Sequence, residues 1–214
     1  MNYQRTLQRT LKESVSLNGI GIHSGLPASL TMRPARSGTG IRFVRTDLPG
    51  YPQVSAHYKN VINTQMATTI GQGKVCISTV EHVLAALQNQ PRPVLVLRRK
   101  VEVKLGEKWA VAEPSSRLEI HGSIDFDHPA IGYQEFHYVD GKTDFSELCH
   151  ARTFGFKKEV DALQRMGLAR GGSLDNAVVL DEASVLNPDG LRFPDEFVRH
   201  KVLDALGDFK LAGI

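Results

Sequence analysis

The stretch Glu196–Lys210, "EFVRHKVLDALGDFK", lays two patterns on one helix. Val198, Val202, Ala205, Leu206 and Phe209 recur at helical spacing and form an apolar stripe that another layer must cover. His200, Asp204 and Asp208 stand at i, i+4 and i+8 on a different side, with Lys201 at its edge and Phe197 and Gly207 among them. Such a helix packs on a core with one side, and its phenylalanine and glycine suit a covered cleft on the other better than open water. Spacing of i and i+4 lets His200 and Asp204 reach one metal ion. A catalytic zinc takes three protein ligands and leaves a position for water, so a third ligand must come from elsewhere in the chain.

Working outward, "KVCISTVEHVLAALQNQ" (Lys74–Gln90) reads as a strand running into a helix, with Ser78 as its N-cap and Glu81 three residues on. His82 is the best candidate for the third ligand, because Glu81 beside it can act as base for a zinc-activated water. Plainer readings compete. "STVE" is also a capping box, His82 a core or surface histidine, and His200–Asp204 a solvated helix pair. Asp208 can simply pair with Lys201 or a neighbour.

The remaining chain reads as two units of a few strands followed by helices, an α+β pattern. "VSLNGIGIHSGLPASLTMRP" gives two strands about a polar turn, and "TGIRFVRTDL" another. Pro91–Arg92–Pro93 marks a boundary, dividing residues 1–90 from 91–214. Beyond it, "VLVLRRKVEVKL", "WAVAEP", "LEIHGSIDFD" and "YQEFHYVD" read as strands. "EVDALQRMG" is a helix and "NAVVLDEASVLN" a strand. "QRTL" occurs twice in tandem near the start, a local duplication rather than a fold repeat. With 214 residues, 41% hydrophobic content, 23% charge and a net charge of +3, the chain suits a globular protein with an anionic ligand. Two cysteines, Cys76 and Cys149, make neither a disulfide framework nor a Cys-type zinc site. The sequence has no apolar run of membrane-spanning length and no signal-peptide pattern, so a cytoplasmic protein is expected. The dense basic stretch "VLRRKVEVK" alternates with valines like a half-buried strand, which argues against a nucleic-acid partner.

"ISTVEH", "RTFGF", "GGS", "LNPDGLRFPDEFVRHKVLDALGD" and the opening "QRTLKESVSLNGIGIHSG" together closely resemble the UDP-3-O-acyl-N-acetylglucosamine deacetylases, the zinc enzymes of lipid A synthesis in Gram-negative bacteria. The resemblance implies two similar domains, each a small sheet packed with helices, with the active site between them. It implies Zn2+ held by His82, His200 and Asp204, and Glu81 as general base. Lys201 would contact the substrate or its diphosphate, Thr153 would stabilise the oxyanion, and Asp208 would orient a catalytic histidine. Phe154, Phe156, Val160, Gly172, Leu174 and Val179 would lie near the sugar or along the acyl passage, with ordinary core packing the alternative for Phe156, Val160, Leu174 and Val179. The implied partner is an acylated UDP-amino sugar, and a monomer is expected. Two departures stand out. "LAALQNQ" runs directly into "PRPVLVL" without the strand and helix that family members carry there. The chain also stops at Ile214, before the "SGHALNN" segment whose histidine is the family's general acid. These departures lead to the expectation of a shortened enzyme, and to its rival, a zinc- or ligand-binding remnant without catalysis.

Overall fold

The computed structural model describes residues 10–87 and 97–212. The expected division at residues 90 and 91, the tail of the helix running to Gln90 and most of the "QRTL" repeat lie outside them. The first half holds an antiparallel hairpin, β1 (Val15–Ile20) and β2 (Pro27–Met32), and a short pair, β3 (Arg42–Val44) and β4 (Gln53–Ser55). A three-stranded antiparallel sheet follows, β5 (Val61–Asn63), β6 (Thr69–Gln72) and β7 (Val75–Ile77), and leads into α1 (Val80–Ala86). The second half opens with two hairpins, β8 (Val101–Leu105) with β9 (Lys108–Ala112) and β10 (Glu119–Phe126) with β11 (Gly132–Val139). Then come α2 (Ser146–Cys149), β12 (Thr153–Phe156), α3 (Lys157–Arg165) and β13 (Ala177–Leu180), which pairs parallel to β12. The last helix is α4 (Glu196–Asp208), continued by a 3-10 turn over Phe209–Ala212. The architecture is α+β, small sheets packed with helices, as expected.

Helix α4 is the centre of the molecule and contacts α1, α2, β10, β11 and β12. It is buried nearly all round rather than along one stripe: Glu196, Phe197, Val198, His200, Val202, Leu203, Leu206 and Gly207 are all buried. That corrects two expectations. Phe197, read as part of the polar side, is fully buried and packs with Ile131, Val178 and Leu180. Phe209, read as part of the apolar stripe, falls after the helix in the 3-10 turn and is exposed. A helix enclosed on every side has no single apolar face for periodicity to mark.

Two glycines let α4 approach its neighbours closely. A Cβ at Gly207 would sit 2.6 Å from the carbonyl carbon and 2.9 Å from the Cα of Glu81. One at Gly122 in β10 would sit 2.6 Å from a methyl of Val202. The first brings α4 against α1, the second brings α4 onto its sheet. The apolar clusters interlock across these contacts. Ala85 of α1 joins Ile120, Tyr138, Leu148, Val202, Leu203 and Leu206. Leu211, beyond α4, completes the cluster of Val54, Ile70, Val80 and Leu84. Each fully buried aliphatic or aromatic side chain contributes roughly 1.5–3 kcal/mol, so these exchanges tie the two halves together.

Other expectations shift. "NAVVLDEASVLN" is not one strand: β13 ends at Leu180, where the Asp181 carboxylate accepts the amides of Ala183 and Ser184 at 2.8 and 2.7 Å and turns the chain. Val185 then bridges back to Leu180. Strand β8 is exposed on both faces, with Val103 and Leu105 in solvent, so it is not half-buried. It pairs only with β9 among the described residues. The tip of the first hairpin reaches the second half, where Ile22 and His23 carbonyls accept the amides of Gly171 and Arg170 at 2.9 and 3.2 Å.

Candidate metal centre

Helix α1 begins one residue later than the sequence suggested. Its N-cap is Thr79, in the left-handed region at φ 59°, and no side chain caps it. Ser78 instead accepts a hydrogen bond from the Thr69 hydroxyl at 3.0 Å. The capping box is therefore absent. The Glu81 carboxylate turns away from the helix start, and its Oε2 accepts the backbone amide of Thr68 at 3.1 Å. Glu81 is 5% exposed, and burial raises its carboxyl above the usual value against the lowering by its own backbone amide and His82. A carboxyl tuned upward in a cleft is what a general base near neutral pH requires.

The close approach at Gly207 carries His82 of α1 up to His200 and Asp204 of α4. Asp204 Oδ1 lies 3.2 Å from His82 Nε2 and 3.3 Å from His200 Nε2. The two imidazoles meet edge to face with centroids 4.9 Å apart. One donor atom from each of the three residues falls within 4.8 Å of the others, the only such group among the described residues. The fit to a metal rests on three observations. Tetrahedral ligands at about 2.0–2.1 Å from zinc stand roughly 3.3 Å from one another, which matches both nitrogen–oxygen separations. Asp204 Oδ1 is buried without a well-formed hydrogen bond, its nearest polar neighbours being the two imidazole nitrogens, a position that a cation would satisfy. His200 Nδ1 donates to the Ala151 carbonyl at 3.0 Å, which leaves the Nε2 lone pair facing the cluster.

The electrostatics agree. Burial depresses His200 to about 4, so its imidazole is neutral at pH 7. Burial would raise Asp204, but His82, His200 and Lys201 hold it at about 2. Burial would lower His82, and Asp204 outweighs that and raises it. Asp204 thus favours positive charge on its neighbour, as it would favour a cation held by the cluster.

The cluster opens on a cavity of about 280 Å³ lined by Thr64, Met66, Ala67, Thr68, Glu81, Lys201, Asp204 and Asp208. Lys201 Nζ lies 3.0 Å from Asp204 Oδ2 and 5.5 Å from the centroid of the Phe154 ring. Asp208 is raised by burial at the cavity wall, which outweighs a hydrogen bond from the Thr68 side chain. Five of the expected residues, Glu81, His82, His200, Lys201 and Asp204, thus meet at one place, with Asp208 on its wall.

The expected substrate residues are placed less compactly. Phe154 and Phe156 alternate onto the face of β12 that packs the cluster of Ile131, Val178, Leu180 and Phe197. Phe154 meets the Phe197 ring edge-on at 5.0 Å. Thr153 and Val179 lie on the other face, where the register pairs Thr153 with Ala177 and Gly155 with Val179. Val160 is half-buried on α3, Gly172 lies in the loop that meets the first hairpin, and Leu174 is exposed. Thr68, which holds Glu81 through its amide and Asp208 through its hydroxyl, was not legible in the sequence. Nor were Arg152 and Glu196, a buried ion pair at 2.9 Å. The sequence shows an acid at the head of the motif helix, but its burial, which marks the pair, is a property of the fold.

The histidines outside the cluster are engaged elsewhere. His128 accepts the Ala130 amide at 3.1 Å and hydrogen-bonds the Asp181 carbonyl at 2.9 Å. His23 accepts the Ala169 amide at 3.4 Å, His57 that of Lys59 at 3.2 Å, and His150 meets the Ser146 carbonyl at 2.8 Å. His121 and His137 face each other on the outer side of the β10–β11 hairpin.

The UDP-3-O-acyl-N-acetylglucosamine deacetylase of Myxococcus xanthus is 45% identical over 245 residues, covering 96% of this chain and 78% of the relative. That of Nitratiruptor is 40% identical over 246 residues (97% and 82%), and that of Bdellovibrio bacteriovorus 40% over 241 (94% and 80%). The aligned stretches are longer than the 214-residue chain, so these relatives carry residues that it lacks. The profile of the UDP-3-O-acyl N-acetylglycosamine deacetylases matches in two pieces, residues 8–90 and 87–214, which meet just after α1. Those two pieces take in α1 and α4 and every residue of the metal cluster, and the chain belongs to the UDP-3-O-acyl N-acetylglycosamine deacetylase family.

Proposed function

We propose that this chain removes the N-acetyl group of UDP-3-O-acyl-N-acetylglucosamine in lipid A synthesis, as a zinc-dependent amide hydrolase. The observation that carries the reading is Asp204 Oδ1, buried between two imidazole nitrogens without a well-formed hydrogen bond, beside a buried glutamate. His82, His200 and Asp204 would hold the zinc, which when bound polarises a carbonyl and lowers the pKa of a water toward about 7.

The chain's own groups supply the base, the oxyanion donor and the anion contact. Glu81, fixed by the Thr68 amide, takes the proton of the attacking water. Thr153 donates toward the oxyanion from the head of β12, two residues from the carbonyl that holds His200. Lys201, exposed and beside Asp204, binds the anionic part of the substrate. Asp208 would orient a catalytic histidine, the proton donor to the leaving amine that the resemblance implies. Phe154, Phe156, Val160, Gly172, Leu174 and Val179 border the sugar and acyl chain. Two domains of similar build meet where α1 crosses α4. A nucleotide-linked substrate makes the cytoplasm the site of action in this reading.

A second reading draws on the segment that relatives carry and this chain lacks just after α1: a chain that keeps the metal and turns over slowly. One set of measurements separates them. The purified protein should hold about one zinc per chain. Glu81→Gln should retain it and lose roughly 10²–10⁴ in deacetylation rate. Zinc without deacetylation supports the second reading. Unchanged zinc in the triple alanine variant of His82, His200 and Asp204 removes the site.

A further inference from the structure

We propose that Arg152 and Glu196 are positioning residues for His200, acting through the single peptide group that joins Ala151 to Arg152. This inference rests on the metal-site reading above. The Ala151–Arg152 peptide is hydrogen-bonded at both ends to α4. Its carbonyl accepts from His200 Nδ1 at 3.0 Å, and its N–H donates to Glu196 Oε1 at 2.9 Å. A trans peptide is a rigid plane with its N–H and C=O pointing opposite ways. Fixing the N–H therefore fixes the direction of the C=O, and with it the ring that the C=O holds. Glu196 and His200 are one helical turn apart, so one peptide plane spans both.

Glu196 is fully buried and saturated. Oε1 also accepts Arg152 Nε at 2.9 Å, and Oε2 accepts Arg152 Nη2 at 3.1 Å and the Arg192 amide at 2.7 Å. Arg152 Nη2 reaches on to the Gly190 carbonyl at 2.8 Å. The first turn of α4 is thereby fixed to the strand head at residues 151–153 and to the loop at 190–192. A buried ion pair is a poor stabiliser compared with apolar residues of the same volume, because desolvating two charges offsets their attraction. Its benefit here is geometric. A carboxylate bonded to the N–H also polarises the C=O on the same peptide, which strengthens the hydrogen bond to Nδ1 and the donor power of Nε2.

The test measures metal rather than turnover. Zinc affinity is titrated by chelator competition, and cobalt substitution reports the ligand field by visible absorption. Two variants are compared with the parent: Arg152→Met/Glu196→Met, which removes both charges, and Glu196→Asp, which keeps the pair but draws the carboxylate back from the peptide. Loss of a partner behind a histidine ligand typically weakens metal affinity about 10–100-fold, and that loss with an altered cobalt spectrum is expected in folded protein of either variant. Parental affinity and spectrum in a folded variant, even one with a lower melting temperature, overturn the proposal and leave the pair purely structural. Should the double variant fail to fold, Glu196→Asp alone decides on the same criterion. A parent that binds no zinc or cobalt refutes the metal-site reading instead, which distinguishes the two failures.

Discussion

Gly207→Ala is the smallest change that should move the metal centre. The new methyl would lie inside contact distance of the Glu81 carbonyl oxygen, 2.6 Å from its carbon and 2.9 Å from its Cα. All three are backbone atoms of α1, so no side chain can swing away. Ordinary carbon–carbon contact needs about 3.5 Å, so the two helices must part by about 1 Å. Overpacking of this kind costs about 1–3 kcal/mol, against about 0.5–1 kcal/mol that alanine returns in a helix interior. For a chain of this size each kcal/mol moves the melting temperature by about 2–4 °C, so a fall of several degrees is expected. The larger effect is on the site. His82 travels with α1 while His200 and Asp204 stay with α4, so the parting acts directly on the 3.2 Å separation of His82 Nε2 and Asp204 Oδ1. A misplacement of about 1 Å in such a constellation costs on the order of 10²-fold in rate. Thermal melts and zinc titration of Gly207→Ala are read beside Gly19→Ala, where a Cβ meets nothing within 4 Å. If Gly207→Ala melts higher than the parent and keeps its zinc affinity, the helix contact does not set the site.

Three further outcomes follow from the same geometry. Thr68→Val keeps the amide that holds Glu81 but removes the hydroxyl offered to Asp208; it should leave zinc content unchanged, cost about 1 kcal/mol in a denaturant melt, and slow deacetylation in a way that Thr68→Ser restores. Thr79 is β-branched at φ 59°, so Thr79→Gly should raise stability by about 1 kcal/mol, and a loss in a urea melt would contradict the strain argument. Burial pushes the Glu196 carboxyl up, but its hydrogen bonds from Arg152 outweigh that and hold it below 4.5. Its contribution is therefore complete above that pH and is lost as pH falls through the lower folded value, so Glu196→Gln should flatten the acid limb of a stability–pH curve.

The parts of the fold that the sequence showed are those with long periodic signals. Strands β10 and β11, eight residues each, alternate cleanly and were legible. Strands β4 to β6, three or four residues each, were not, because two alternations cannot be told from a loop. Periodicity also assumes one covered face. It misassigned Phe197 and Phe209 because α4 is covered from several sides at once, and the identity of the neighbours, not the spacing, decides which side chain is buried. In the same way "STVE" satisfied the capping pattern while the strained Thr79 and the approach of Thr68 took Glu81 elsewhere.

The meeting of His82, His200 and Asp204 was legible for a related reason. His200 and Asp204 are one turn apart on a helix, so their side-chain spacing is fixed by the backbone alone, and only the arrival of His82 depended on tertiary structure. What holds the cluster was invisible because it is built largely from main-chain groups: the Thr68 amide on Glu81, the Ala151 carbonyl on His200, and the Arg152 amide on Glu196. Any residue type supplies an amide or a carbonyl, so no side-chain pattern marks those positions. The side chains that reveal such a scaffold are the ones that are costly to bury without it. Glu196, a fully buried acid at the start of a helix, needs four donors, and three of them come from one arginine whose peptide also holds His200. A buried charge is thus the trace that main-chain positioning leaves in a structure, and here it marks the peptide whose carbonyl accepts from His200.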